Sequence, residues 1–433
     1  MSRPPDPRGR MRAMGARTFR SLRIRNYRLF FVGQLVSVTG TWMQTVAQSW
    51  LVLNLTGSGV ALGVTVALQF LPMLLFGMWG GLLADRLDKR RLLIATQAAG
   101  GVLAIMLWAL VVAGTVELWM IYVLAFLLGM VTMVDMPTRQ AFVIEMVGPD
   151  EVPNAVGLNS AMFNMGRILG PAAAGVVIAS FGIAPAFLAN GISFLAVIGG
   201  LLAMRVDELF LRERAPRATG EVRAGLRYVW GHAGLRSTLF LVAVLGTFGF
   251  NFVVVLPLLA RYDFGGGAGL YSVFTSLMAG GSLIGALVAA SRARPTRRVL
   301  VGSAAAFGAL TLGAAVAPSV VTVGVLLFGM GAAVMLFLAT ANTTLQLSSE
   351  PAMRGRVMAL YGLVFLGSTP VGGPLLGWIS EDWGARCGLA LGGGLSLAAA
   401  LAAMSTIHVR RRAADVRTDP GGPPDLTVAA GVS

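Results

Sequence analysis

The chain has 433 residues, 56% of them hydrophobic even before its 56 glycines are counted, and only 12% are charged. A water-facing domain carries about 25% charged residues, so this composition excludes a soluble globular protein. A mean hydropathy of +0.76, in apolar runs near the roughly 20 helical residues that cross a hydrocarbon core, places the chain in lipid as an all-α membrane protein. The net charge of +15 would point to nucleic acid. The basic residues, however, sit between apolar runs with almost no aromatics interleaved, so they read as topology signals and nucleic acid is not a partner.

In chain order, residues 1–28 form a basic N-terminus. The apolar stretch behind it is too long and too polar-studded for a signal-peptide core, so the first span is retained. Twelve spans follow, over about 29–54, 60–84, 92–113, 118–143, 154–179, 186–204, 236–260, 269–291, 299–317, 320–346, 357–379 and 386–408. A charged central loop, 205–235, divides them into halves at 29–204 and 236–408, and the Pro/Gly-containing tail, 409–433, reads as disordered. Of the 34 Lys and Arg residues, 31 fall on one side of this arrangement, leaving Arg261 and Arg386 opposite and Arg167 inside a span. The positive-inside rule then puts both termini and the central loop in the cytoplasm. The excess of Arg over the single Lys89, with abundant Ala and Gly, reads as GC-rich coding, hence a bacterial inner membrane.

The halves repeat at an offset of 202 residues: Gly129 matches Gly331, Pro149 matches Pro351, Gly170 matches Gly372, Gly175 matches Gly377 and Gly182 matches Gly384. Two six-helix parallel repeats around a central cavity are a transporter architecture, and such a duplicate is complete as a monomer.

Between spans 2 and 3 the chain reads Gly81-Leu82-Leu83-Ala84-Asp85-Arg86-Leu87-Asp88-Lys89-Arg90-Arg91-Leu92. This resembles the loop motif of the major facilitator superfamily, G-x-L-a-D-r-x-G-r-k-x-l, with Asp88 in place of the second glycine. The resemblance implies that Asp85, with Gly81, Arg86, Arg90 and Arg139 around it, meets the start of span 11 near Arg356 and latches the cytoplasmic gate. In span 5, Gly157, Gly166, Gly170, Pro171 and Gly175 resemble the fifth-helix motif of exporters in that superfamily, where small residues let helices approach closely. The stretch Asp135 to Ala141, with Gly33-Gln34 and Gly40 to Gln44, is similar to the branch that contains the enterobactin exporter and macrolide efflux proteins. The middle of span 4, Tyr122 to Gly129, lacks the charge that many proton-coupled drug exporters carry there.

Gln34, Ser37, Thr41, Gln44 and Gln48 recur at spacings of three and four, which puts them on one helical face. Amides are costly in lipid, so this stripe faces either a central cavity or a neighbouring helix. Span 5 adds Ser160, Asn164 and Arg167. A lipid-facing Arg near mid-membrane costs upwards of ~2.5 kcal/mol, so Arg167 faces the bundle interior. Asp135 is its candidate partner, with Arg139 one turn away competing for it. Asp135 is the titrating group if protons drive transport, with Arg167 as an anchor for substrate or carboxylate; the alternative is a buried structural pair. From the second half, Asn251, Tyr271, Thr275, Asn342, Tyr361 and Ser368 are polar candidates for the cavity, with Phe250, Phe274, Met278 and Phe365 as apolar walls.

Cys387 stands alone and the histidines are only His232 and His408, so no metal site, cofactor site or nucleophilic triad is legible. No phosphate-cradling loop with Lys is present either. The expectation is a non-enzymatic secondary exporter of small amphipathic organic molecules, drug- or siderophore-like, with protons as coupling ion; an uptake permease of the same fold is the alternative.

Overall fold

The computed structural model describes residues 19–210, 221–292 and 295–417. Among these, the secondary structure is entirely helical. The long helices are α1 Arg25–Thr56, α2 Gly59–Arg86, α3 Lys89–Val112, α4 Leu118–Val147, α5 Val152–Phe181 and α6 Ala184–Leu202, followed by a short helix, α7 Glu221–Gly231. The rest are α8 Ala233–Val244, α9 Phe252–Leu258, α10 Ala268–Ala290, α11 Arg297–Val316, α12 Val320–Ser348, α13 Arg354–Gly367, α14 Thr369–Asp382 and α15 Ala385–Arg417. Eleven helical segments are long and apolar enough to cross a membrane. The first expected span, α1, is not among them, although its 32 residues are long enough, because the polar stripe lowers its hydropathy.

Three expectations are corrected. The central region expected to be a loop contains α7, whose Val229 is 2% exposed and packs with Leu235, Leu345 and Val357. The expected span 7 is interrupted: π-helical turns occupy Leu245–Gly249 and Leu259–Asp263, and Phe250 and Asn251 leave helical geometry between α8 and α9. Asn251 Nδ2 donates to the Thr247 carbonyl at 2.8 Å, so this break has its backbone satisfied from within. The expected span 11 is two helices meeting at Ser368, because Pro370 cannot continue the hydrogen-bond ladder of α13. The expected tail beyond 408 begins as helix, to Arg417; the rest of it, like residues 1–18, lies outside the described residues.

Helices α1 to α6 pack as one group, through α1 on α5 and α6, α2 on α4, and α3 on α4 and α6. In the second group α10 packs on α12, and α11 on α12 and α15. The groups join along α2 with α14 and α5 with α10. Glycines set these crossings, because a Cβ at each would meet the facing helix. Gly129 abuts the Gln69 carbonyl on α2, and Gly331 abuts the Met278 carbonyl on α10. Gly170 abuts Thr39 and Trp42 on α1, and Gly372 abuts the Thr247 carbonyl ahead of α9. Gly175 meets Ser272 across the groups, as Gly377 meets the Gly59 carbonyl. Gly182 and Gly384 both take left-handed turns, at φ of 82° and 90°. Of the four glycines in the exporter-like motif, Gly157 is the exception to close packing, since a Cβ there would meet nothing within 4 Å.

Candidate central cavity and its two faces

The face where α1 begins is held within each group. Ser21 Oγ donates to Asn154 Oδ1 at 2.7 Å, Asn26 Nδ2 donates to the Arg205 carbonyl at 2.8 Å, and Lys89 pairs with Glu145 at 2.7 Å. In the loop motif, Asp88 is the N-cap of α3, accepting from the Arg91 amide at 2.7 Å. Arg90 Nε donates to the Leu201 carbonyl at 2.7 Å, which commits this expected latch residue to the end of α6. Arg356 Nη1 donates to Met353 Sδ at 3.3 Å, and the Cβ of Arg356 lies against Gly225 of α7.

On the opposite face the two groups are stitched together. Glu381 Oε2 accepts from Ser58 Oγ at 2.6 Å and from the Val60 amide at 2.9 Å, so a carboxylate from α14 caps the first turn of α2. Arg261 Nη1 donates to the Leu53 carbonyl at 3.0 Å and to Asn54 Oδ1 at 3.1 Å, and Tyr262 Oη donates to the Gly57 carbonyl at 2.8 Å. Behind these, Gly59 and Gly63 of α2 lie backbone to backbone against Gly377 and Gly373 of α14. Arg386 pairs with Asp263 at 2.8 Å and donates to the Ala317 carbonyl at 2.9 Å, tying α15 to its neighbours. Sequence reasoning missed this seam. Its only signal was the placement of Arg261 and Arg386 against the basic bias.

Between these faces lies a pocket lined by Thr41, Gln44, Thr45, Gln48 and Ser49 of α1 with Thr65 and Gln69 of α2, Leu128 of α4, Asn190 and Phe194 of α6, and Val253 of α9. Three members of the predicted stripe, Thr41, Gln44 and Gln48, line it, and Gln44 Oε1 accepts from Asn190 Nδ2 at 2.6 Å. Gln34 and Ser37 are buried in helix packing outside the pocket, at 1% and 3% exposure. Thr45, Ser49, Thr65, Gln69 and Asn190 were not predicted, because they lie on three helices as two i,i+4 pairs and a single residue, too few on any one helix to mark a long stripe.

The second-half candidates are not brought into this pocket. Asn251 lines a separate, small pocket with Phe248, Thr311 and Leu389. Tyr271 is buried, and its carbonyl accepts from Thr275 Oγ1 at 2.9 Å. Asn342 and Tyr361 do meet, side chain to side chain. Tyr361 stacks on Phe365 at 6.1 Å, and Phe365 stands edge-on to Phe250 at 5.6 Å, an aromatic ladder on the second group.

The expected partnership of Asp135 with Arg167 is corrected. Asp135, 3% exposed, forms its ion pair with Arg139 one turn along α4, and Oδ1 also accepts from Thr96 Oγ1 and Gln97 Nε2, each at 2.8 Å. The short i,i+4 reach favours Arg139 over a residue on another helix. Arg167 stands over the Trp42 ring at 5.4 Å, and Arg139 over Phe163 at 5.4 Å. Among the described residues no group of three His, Cys, Asp or Glu could hold a metal.

A family model described as transmembrane secretion effector matches residues 16–428. The staphyloferrin A transporter of Staphylococcus aureus is 27% identical over 260 residues, 60% of this chain and 65% of that protein, slightly under two thirds of its length. Macrolide efflux protein A of Streptococcus pyogenes is 24% identical over 407 residues, covering 89% of this chain and 98% of that protein. The multidrug efflux pump Tap of Mycolicibacterium fortuitum is 26% identical over 370 residues, 82% of this chain and 89% of that one. Among solved structures, the nucleoside transporter NupG is similar at a TM-score of 0.69 and 12% identity, over 88% of this chain and 99% of that one. A bacterial homologue of the human lysosomal transporter Spinster, inward-facing and unoccupied, is similar at a TM-score of 0.65 and 14% identity, over 87% and 93%. At these identities the likeness is one of fold.

Proposed function

The chain belongs to the transmembrane secretion effector family, in the efflux branch of the major facilitator superfamily, and on that premise we propose that it is a proton-coupled exporter of small amphipathic organic molecules working by alternating access. In this reading α1 joins the eleven other spans to make twelve, the glycine pairs with matched contacts mark two parallel six-helix repeats, and the bias of Lys and Arg puts both termini in the cytoplasm of a bacterial cell.

One observation carries the reading: the polar pocket lies behind a seam that joins the two groups at the outer face. Contacts between α5 and α10 run from Gly175 on Ser272 to Ser276 Oγ on the Ile168 carbonyl, and Gly157, toward the cytoplasmic end of α5, meets nothing within 4 Å. We read this loss of contact as the groups diverging toward the cytoplasm, as in an inward-open carrier. Export requires the seam of Glu381, Arg261 and Tyr262 to part while Asp85 latches the cytoplasmic ends against the start of α13. Asp135 is the proposed coupling residue, and its hydrogen bonds from Thr96 and Gln97 tie it to the packing of α3 on α4.

The test is movement of an amphipathic dye in inverted membrane vesicles, with and without an imposed proton gradient, for the native protein and for Asp135→Asn. The expected result is gradient-driven accumulation in native vesicles and its loss in the variant. Accumulation that is unchanged in Asp135→Asn overturns the coupling role, and none from the native protein overturns export of this class.

A further inference from the structure

Arg167 differs from five other cations in or beside the described spans. Arg139 has Asp135, Lys89 has Glu145 and Arg386 has Asp263, while Arg261 and Arg90 are held by carbonyls. Arg167 has the face of Trp42 and no carboxylate or carbonyl. An aromatic face does not occupy the five N–H donors of a guanidinium. Those nitrogens are also not sealed away, since the buried side-chain atoms that lack partners include Gln34 Nε2 and Arg139 Nε but none of Arg167.

The position is built rather than incidental. Gly166 and Gly170 flank Arg167 and let α5 settle on Val38, Thr39 and Trp42 of α1, which brings the guanidinium over the indole. Trp42 shares its side of α1 with Thr45 and Ser49, which line the pocket. Asn164 and Ser160 continue the Arg167 face toward the cytoplasm, and Ser160 is exposed. About 22 Å of helix separate Arg167 from Val152, and the carbonyl of Ile168 beside it accepts from Ser276 of the other group, so the cation sits deep along α5, next to the junction of the groups.

We propose that Arg167, backed by Trp42, is the subsite for an anionic group of the transported molecule, a carboxylate held by the guanidinium fork, and that the substrates are amphipathic organic anions rather than cations. This rests on the exporter reading and narrows it. The aromatic ladder of Phe250, Phe365 and Tyr361 supplies an apolar surface on the other group, and an uncompensated positive charge on the path disfavours cationic ligands.

The experiment compares binding of pyrenebutyrate and the neutral pyrenebutanol to the full chain in nanodiscs, corrected for protein-free discs, for the native protein, R167Q and R167K. The native protein is expected to bind the carboxylate at least about tenfold tighter than the alcohol, R167Q to lose that preference, and R167K to keep part of it. An unfolding midpoint for each variant shows whether it is folded; if R167Q is not, the native probe pair and R167K still decide. Equal binding of the two probes by the native protein, failure to bind pyrenebutyrate, or a full preference in folded R167Q overturns the proposal. Failure of gradient-driven export with the carboxylate preference intact would instead fault the exporter reading and leave the subsite standing.

Discussion

Asp88 shows how much one residue's role depends on its local geometry. By motif it is a departure, an acid where the superfamily pattern has glycine; in the structure it accepts from the Arg91 amide and caps α3. An N-cap carboxylate also favours the positive end of the helix. Asp88→Ala is expected to destabilise the protein by about 1 kcal/mol and Asp88→Gly by only a few tenths, read as apparent unfolding midpoints in detergent. Equal losses for the two would mean that Asp88 acts through something other than capping. The paired Asp135 makes a parallel point, since spacing on α4 favoured Arg139 while the need of a buried Arg167 for an interior partner favoured the other pairing. The shorter reach won.

At the scale of elements, helix crossings are governed by the absence of side chains. A Cβ on Gly63 would lie 2.6 Å from Pro374 Cα, so α2 and α14 cannot stay in register if a larger residue is placed there. Gly63→Val is expected to cost about 1–3 kcal/mol in the form closed at the outer face and to populate the form open there. A membrane-impermeant maleimide, applied from outside to a Thr45→Cys reporter, reads this as faster labelling. Unchanged labelling in Gly63→Val would show that this crossing does not hold the outer face shut. The polar stripe of α1 belongs to this scale too. Its period was legible, but the stripe divides, with Gln34 and Ser37 in packing and Thr41, Gln44 and Gln48 on the pocket, because different neighbours cover its two ends.

For the whole molecule, the seam makes the alternating-access reading testable by a covalent lock. Ser58 and Glu381 lie 323 positions apart in sequence, with their side-chain oxygens 2.6 Å apart in space. A Ser58→Cys, Glu381→Cys pair is made in a Cys387→Ala background, since Cys387 is exposed. On oxidation it is expected to abolish transport, and reductant should restore it. Uphill transport by the oxidised pair would exclude parting of the outer seam as a step of the cycle.

By itself the sequence determined the class of molecule. Charge too sparse to clothe a soluble surface, apolar runs of membrane length and a one-sided distribution of arginine are properties of composition and order. The loop motif and the fifth-helix glycines narrowed the class to a superfamily, and the family match agrees. Tertiary structure alone decided which polar residues share one pocket, that Glu381, Arg261 and Tyr262 stitch the two groups together at the face opposite the start of α1, where the apolar runs at Phe250 and Ser368 break, and that Asp135 is satisfied while Arg167 is not. The reason is physical. Helical periodicity tells which residues share a face, but the neighbour that face meets depends on how helices far apart in sequence cross, and in this chain those crossings turn on backbone contacts at single glycines.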